Sequence, residues 1–362
     1  MSILNIMWAG GSAFASVQKV HRQVLASTDC DAPVHTWLLQ GGAQQGEEEA
    51  VEWNLSSAQL KGRHLWKLLV PRMRARFRRA LPHDVKVVLL DGIGVARAML
   101  PVLKALPDAR VVVLFHGETR LRSTDRELFA QFSEARLTVA AVSNTLAASL
   151  QQGLQRPVVV LRSAFNPDAF RAAMLPRDQA RTRLGLSSGN APVLGAVGRF
   201  VDSKGFACLL DAFARVSAQR PEARLVIIGE GPGRADLEAQ IKRLNVDGKV
   251  LLPGHLVEAA SLYPAFDWMA IPSSSEGLGL VLQEAVMAGV PVLTSELAVF
   301  REQVAEAGWY APADDVEAWA QLLQRAFSAD AGAVAAGQLQ ALAPEQAWQD
   351  FTTTACLLLS TR

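Results

Sequence analysis

Short apolar runs alternate along the chain with longer stretches of helical periodicity. In the first half, runs at Leu4–Trp8, Val34–Leu39, Val85–Leu90, Arg110–Phe115, Leu137–Val142 and Val158–Leu161 read as strands. Val95–Leu106 and Thr145–Leu154 between them carry the 3.6-residue period of helices. The pattern restarts after Arg181, with strands at Val193–Val197, Leu225–Gly229, Val250–Leu252, Met269–Ile271 and Pro291–Thr294. Helices are expected at Phe206–Ser217, Arg234–Leu244, Leu280–Ala288 and Val316–Phe327. Continuously apolar strands that alternate with helices predict parallel sheets of βαβ units. Two such series predict an α/β chain of two Rossmann-like, doubly wound domains, 1–170 and 191–343. Pro167, Pro176 and a Ser-Ser-Gly cluster mark a linker at 171–190, and 344–362 reads as a last helix packing back toward the first domain.

Bulk properties exclude several classes. A length of 362 residues suits two domains. Net charge is +1, so no global field selects nucleic acid, and none is expected as a partner. Cys30, Cys208 and Cys356 are too scattered for a disulfide framework or a zinc site. The start of the chain lacks a basic segment ahead of its apolar run and reads as a first strand rather than a signal peptide. No apolar run reaches membrane-spanning length. A cytoplasmic location is the expectation.

The densest feature runs from Ser273 to Leu293. A strand feeds a Ser/Gly loop, which feeds a helix stopped by Gly289 and Pro291. A glycine loop opening a helix presents free N–H groups and the positive end of the helix dipole, which suits phosphate. Glu276 in the loop and Glu284 in the helix can each accept hydroxyl hydrogen bonds on either side of a bound diphosphate. This passage resembles the E-x7-E motif of retaining GT-B glycosyltransferases, family 4 (group 1). The continuation Glu-Ala-x-x-x-Gly-x-Pro-Val is matched by Glu284-Ala285, Gly289 and Pro291-Val292.

The resemblance implies a GT-B architecture with its site in a cleft between an acceptor-binding first domain and a nucleotide-sugar-binding second domain. Glu276 would contact the donor sugar and Glu284 the ribose, while the backbone of Gly277, Leu278, Gly279, Leu280 and Val281 would hold sugar and β-phosphate. Gly198–Gly205 resembles the family's Gly-Arg-x-x-x-x-Lys-Gly segment, so Arg199 and Lys204 would neutralise the leaving diphosphate. Gly229 and Gly231 would line the nucleotide pocket, with His255 and Leu256 against the base. Neither Leu225–Gly233 nor Gly92–Arg97 fits the G-x-G-x-x-G dinucleotide fingerprint. In the first domain, Gly10, Gly11 and Ser12 resemble the family's glycine loop near diphosphate and acceptor. His116, just past a strand end, would contact the donor sugar. Ser143 reads as a helix cap.

Two departures stand out. The family's Gly-Gly ahead of a Glu is Ala298-Val299 ahead of Glu302 here. Asp29-Cys30-Asp31 spells a metal motif of another glycosyltransferase fold but reads as a loop, and neither a metal nor another cofactor is expected.

Lys61–Arg79 holds eight basic residues and no acid, interleaved with Trp66, Leu69 and Phe77, and Pro71 is expected to kink or split it. Such a stretch suits an anionic membrane surface. The whole reading is a retaining, metal-independent glycosyltransferase that uses a UDP- or GDP-type sugar. Its acceptor would be a glycan or a lipid-linked glycan, as in lipopolysaccharide or cell-surface polysaccharide synthesis. A nucleotide-sugar epimerase on the same scaffold and a non-catalytic glycan-binding partner are the alternatives.

Overall fold

The computed structural model describes residues 1–9, 15–27, 32–42, 50–60, 68–186, 189 and 191–360. The chain divides into two units, Met1–Ser163 with Gln349–Arg362, and Ala164–Trp348.

Unit 1 carries a parallel sheet of seven strands: β1 (Ser2–Ala9), β2 (Val34–Gln40), β3 (Val51–Glu52), β4 (Val85–Asp91), β5 (Arg110–Phe115), β6 (Leu137–Ala141) and β7 (Val158–Val160). Their order is β3-β2-β1-β4-β5-β6-β7. The chain steps outward from β1 in one direction and from β4 in the other, so the switch in direction falls between β1 and β4. β4 is buried nearly throughout, as its unbroken apolar run requires with helices on both faces. The edge strand β3 has two exposed residues held by pairing with Trp37 and Leu38, so local periodicity gave no sign of it. The following helix starts at Gly92 rather than Val95 because Gly92 takes the left-handed conformation (φ +59°) needed to turn directly out of β4.

Unit 2 carries six parallel strands: β8 (Val193–Val197), β9 (Arg224–Ile228), β10 (Val250–Gly254), β11 (Trp268–Ile271), β12 (Val292–Ser295) and β13 (Trp309–Ala311). Their order is β10-β9-β8-β11-β12-β13, with the switch between β8 and β11. Helices Phe206–Gln219 and Val316–Ala326 press Phe206, Phe213 and Trp319 into the core of this sheet. Both units are therefore Rossmann-like.

Residues 171–190 do more than link. Helix Arg177–Arg183 docks into unit 2, where Arg177 and Arg181 both pair with Asp267, at 2.5 and 3.1 Å. Asp267 also accepts from the Val193 N–H at 2.8 Å, which fixes the start of β8. The last helix runs from Pro344 to Leu359, and from Gln349 on it belongs to unit 1, where Arg110 donates to the carbonyls of Leu358 and Ser360.

Within the basic stretch, helix Val70–Ala80 has Pro71 in its first turn, where no intrahelical N–H is required. Phe77 is wholly buried against Trp37 and Trp53 and is not part of any apolar surface. Lys61, Arg63, Trp66 and Lys67 lie outside the described residues, as do Asp29, Cys30 and Asp31. Among the described residues, no helix is long and apolar enough to cross a membrane.

Candidate functional site

The carboxyl ends of β8, β9, β10 and β11 gather four loops of unit 2, the edge at which open α/β sheets bind ligands. The loops after β8 and β11 flank the switch point and are joined there. Lys204 and Glu276 form an ion pair, Nζ to Oε1 2.5 Å, with side chains 22% and 14% exposed. The same Oε1 accepts from Ser273 Oγ at 2.9 Å, and the Ser274 N–H donates to the Ser203 carbonyl at 2.9 Å. Lys204 closes a short 3₁₀ turn, Asp202–Lys204, that no periodicity announces. Arg199, five residues earlier, is exposed.

The loop after β9 threads against the one after β8. The Phe200 N–H donates to the Glu230 carbonyl at 2.9 Å, and the Gly233 N–H donates to the Phe200 carbonyl at 3.0 Å. Gly229 has φ +156°, and a Cβ there would stand 1.8 Å from the Gly198 carbonyl oxygen. Close passage of two backbones therefore accounts for this glycine, and Gly231 abuts the Phe200 backbone in the same way. Arg234, where a dinucleotide fingerprint would have its third glycine, pairs with Glu230 and Glu238 and donates to the Leu252 carbonyl at 3.1 Å. Beyond β10, His255 is exposed and Leu256 half-buried.

After β11 the loop turns at Gly279 (φ +79°), which leads directly into helix Leu280–Met287. A Cβ on Gly279 would stand 2.5 Å from the Phe300 ring. Leu278 is buried, and its carbonyl accepts from Gln303 Nε2 at 2.5 Å, while Gln303 Oε1 accepts from Gln283 Nε2 at 3.0 Å. Phe300 and Gln303 belong to helix Ala298–Val304, the segment that departs from the family's Gly-Gly pattern. In this chain the segment buttresses the Gly277–Val281 turn from behind.

Glu284, half-buried in the helix, accepts from Tyr263 Oη at 3.1 Å. Tyr263 is buried, and that burial together with the Glu284 charge pushes its phenol well above the ordinary tyrosine range, so it acts as a neutral donor. Sequence reasoning missed Tyr263. Its one signal was rarity: the chain has only two tyrosines.

His116 lies in unit 1 and joins a second cluster, which the sequence did not reveal. His116 Nε2 is 3.1 Å from His21 Nε2 and 3.9 Å from Asp91 Oδ1. Asp91 ends β4 beside the switch point of its own sheet, and its Oδ2 accepts from the Trp8 N–H at 3.1 Å. Burial pushes the His116 imidazole down to about 4 and the Asp91 carboxyl up to about 6. Among the described residues, His21, Asp91 and His116 are the group whose spacing could suit a metal ion. Gly10, Gly11 and Ser12 lie outside the described residues.

Comparison with known proteins places these residues in context. Residues 179–337 match the family model described as Glycosyl transferases group 1. A 2-deoxystreptamine glucosyltransferase of Streptomyces kanamyceticus is 29% identical over 235 residues, 60% of this chain and 60% of that protein's own length. A lipopolysaccharide core biosynthesis mannosyltransferase, LpsB of Rhizobium meliloti, is 26% identical over 68% of this chain and 70% of its own. The crystal structure of Anabaena HepE in complex with UDP superposes with a TM-score of 0.74 at 20% identity, covering 99% of this chain and 98% of that one. The fold is thus that of its GT-B neighbours, and the match to group 1 glycosyltransferases falls on the segment of unit 2 that contains Arg199, Lys204, Glu276 and Glu284.

Proposed function

We propose that this chain is a retaining glycosyltransferase of family 4 that transfers a sugar from a UDP- or GDP-type donor to a glycan or lipid-linked acceptor. The observation that carries this reading is the Lys204–Glu276 pair at the switch point of unit 2, inside the segment matched to group 1 glycosyltransferases. HepE, with the same fold, was solved with UDP.

Unit 2 binds the donor. Glu284, held by Tyr263, takes the ribose hydroxyls, and Glu276 takes the sugar hydroxyls. The backbone of Gly277–Val281 and the helix it opens receive the diphosphate. Lys204 and the exposed Arg199 supply positive charge as the glycosidic bond breaks and the diphosphate leaves. Two cations in that position do the work a metal would do, so the reaction needs no metal or other cofactor. The acceptor hydroxyl attacks on the face from which the diphosphate departs and passes its proton to a phosphate oxygen, which keeps the anomeric configuration. The family resemblance assigns the acceptor to unit 1, with His116 as its candidate sugar contact.

The relative that acts in lipopolysaccharide core synthesis favours a cell-surface glycan as acceptor. A peripheral position on the cytoplasmic face of the membrane is supported by helix Val70–Ala80, which exposes Arg72, Arg76, Arg78 and Arg79 beside Leu68, 78% exposed.

A thermal-shift screen of nucleoside diphosphates and their sugars tests the donor. UDP or GDP should raise the melting temperature of the wild type and not of Glu284→Ala. Absence of a shift with every nucleotide would defeat the reading. Release of nucleotide from the sugar donor without any acceptor would replace it with epimerase chemistry.

A further inference from the structure

We infer that Asn5 and His21 are positioning residues that hold His116 in the tautomer with its proton on Nε2 and an acceptor lone pair at Nδ1. The consequence for the substrate rests on the reading of His116 as a sugar contact. The assignment of the tautomer does not.

Asn5, on β1, directs its Nδ2 at Thr36 Oγ1, 3.5 Å away, so the oxygen of its amide faces His21. Asn5 Oδ1 and His21 Nδ1 are 2.7 Å apart. An amide oxygen only accepts, so His21 Nδ1 carries the hydrogen. His21 is wholly buried, and burial followed by the neighbouring His116 holds its pKa well below the ordinary histidine value. It is therefore neutral, with one ring hydrogen, and its Nε2 is a lone pair. That lone pair faces His116 Nε2 at 3.1 Å, an ordinary N–H to N separation. Two lone pairs at this distance would repel, so the hydrogen belongs to His116 Nε2. Asp91 Oδ1, 3.9 Å from the same nitrogen, favours a hydrogen there too. His116 is itself kept neutral by burial, so its Nδ1 has no hydrogen.

An acceptor at that position selects for a partner that donates. His116 would take a sugar hydroxyl and would disfavour a carboxylate or phosphate at the same contact, since those offer no hydrogen at neutral pH. Asn5 and His21 touch no substrate in this scheme. They act through His116, because the orientation of the amide sets one ring and that ring sets the next.

Nitrogen-15 histidine NMR of the full chain at pH 7 tests this directly, with His116→Gln assigning the signals. The wild type should show a neutral His116 with the hydrogen on Nε2. His21→Phe keeps an aromatic ring but removes the acceptor, so His116 should become a mixture of tautomers. His21→Gln can donate to Asn5 and accept from His116, and it should restore the wild-type pattern. Affinity for the nucleotide sugar should fall about tenfold in His21→Phe, the scale of one hydrogen bond, and stay within about threefold in His21→Gln. A wild-type His116 with its hydrogen on Nδ1, or a His21→Phe spectrum unchanged from wild type, would overturn the inference, and the first of these needs no variant to fold. Stoichiometric zinc shifting the signals of both histidines would also overturn it, showing ligands rather than a relay. If the tautomer is as inferred but no nucleotide sugar perturbs the His116 signals, the positioning device stands and the sugar-contact reading of His116 falls.

Discussion

Lys204 Nζ lies 2.5 Å from Glu276 Oε1, although the two residues are 72 positions apart. Under the proposed function the pair couples the cation for the departing diphosphate with the carboxylate for the sugar. A donor bound as proposed would share Lys204 with Glu276, and the carboxylate would hold the ammonium in place before the charge on the diphosphate develops.

Lys204→Ala should therefore lower kcat about 10²–10³-fold, the scale for removal of one preorganised donor to developing charge. Arg199→Ala should lower kcat in the same direction. A double-mutant cycle of Lys204→Ala with Glu276→Gln should be strongly non-additive, because either change breaks the same pair. Turnover within a few-fold of wild type in Lys204→Ala would remove it from the leaving-group role.

The two glutamates should separate by ligand. Glu284→Ala is expected to weaken both the bare nucleoside diphosphate and the sugar donor, whereas Glu276→Ala should weaken the sugar donor alone. Tyr263→Phe deletes the hydroxyl that orients Glu284 and should resemble a mild Glu284 variant, costing about 1 kcal/mol of nucleotide affinity. Isothermal calorimetry with both ligands decides this. Equal loss of bare-nucleotide affinity in Glu276→Ala and Glu284→Ala would overturn the division.

The cluster in unit 1 predicts a pH-dependent stability. His116 falls from 6.5 to about 4 on folding, and His21 also falls well below 6.5. The unfolded chain thus takes up these protons first, and stability should decline as pH drops from about 6.5 to about 4. Asp91 works the other way: its folded value is about 6 against an ordinary 3.8, so the folded chain binds that proton first and gains stability as pH falls through the same range. Two histidines against one carboxyl leave a net loss. Asp91→Asn removes the opposing contribution and should steepen the fall in Tm between pH 6.5 and 4.5. Parallel Tm profiles for variant and wild type would show that the Asp91 proton is not linked to folding.

Membrane attachment should depend on salt and on the exposed arginines. Changing Arg72, Arg76, Arg78 and Arg79 to Gln should cut flotation with anionic vesicles while leaving nucleotide affinity unchanged, since those residues belong to unit 1. Raising salt to about 0.5 M, where the Debye length shrinks to about 4 Å, should do the same to the wild type. Equal recovery on anionic and neutral vesicles would favour a soluble acceptor.

The amino-acid sequence by itself determined the two parallel sheets, because strands such as Val85–Leu90 and helices such as Val316–Phe327 carry their periodicity in adjacent residues. It also exposed the E-x7-E stretch, since a strand, a glycine turn and a helix start are contiguous in the chain. Helix Arg177–Arg183 carries no such local sign, because its anchor, Asp267, lies more than 80 positions away. Phe77 belongs by sequence to a stretch that suits a membrane, but Trp37 and Trp53 cover it in the fold. Tyr263 behind Glu284, Gln303 behind Leu278, and the Asn5–His21–His116 series were decided by tertiary structure alone. The physical reason is common to all of them. Hydrophobic period is a local property of the chain, whereas a side chain's hydrogen-bond partner depends on which distant strands and helices the sheet order sets side by side.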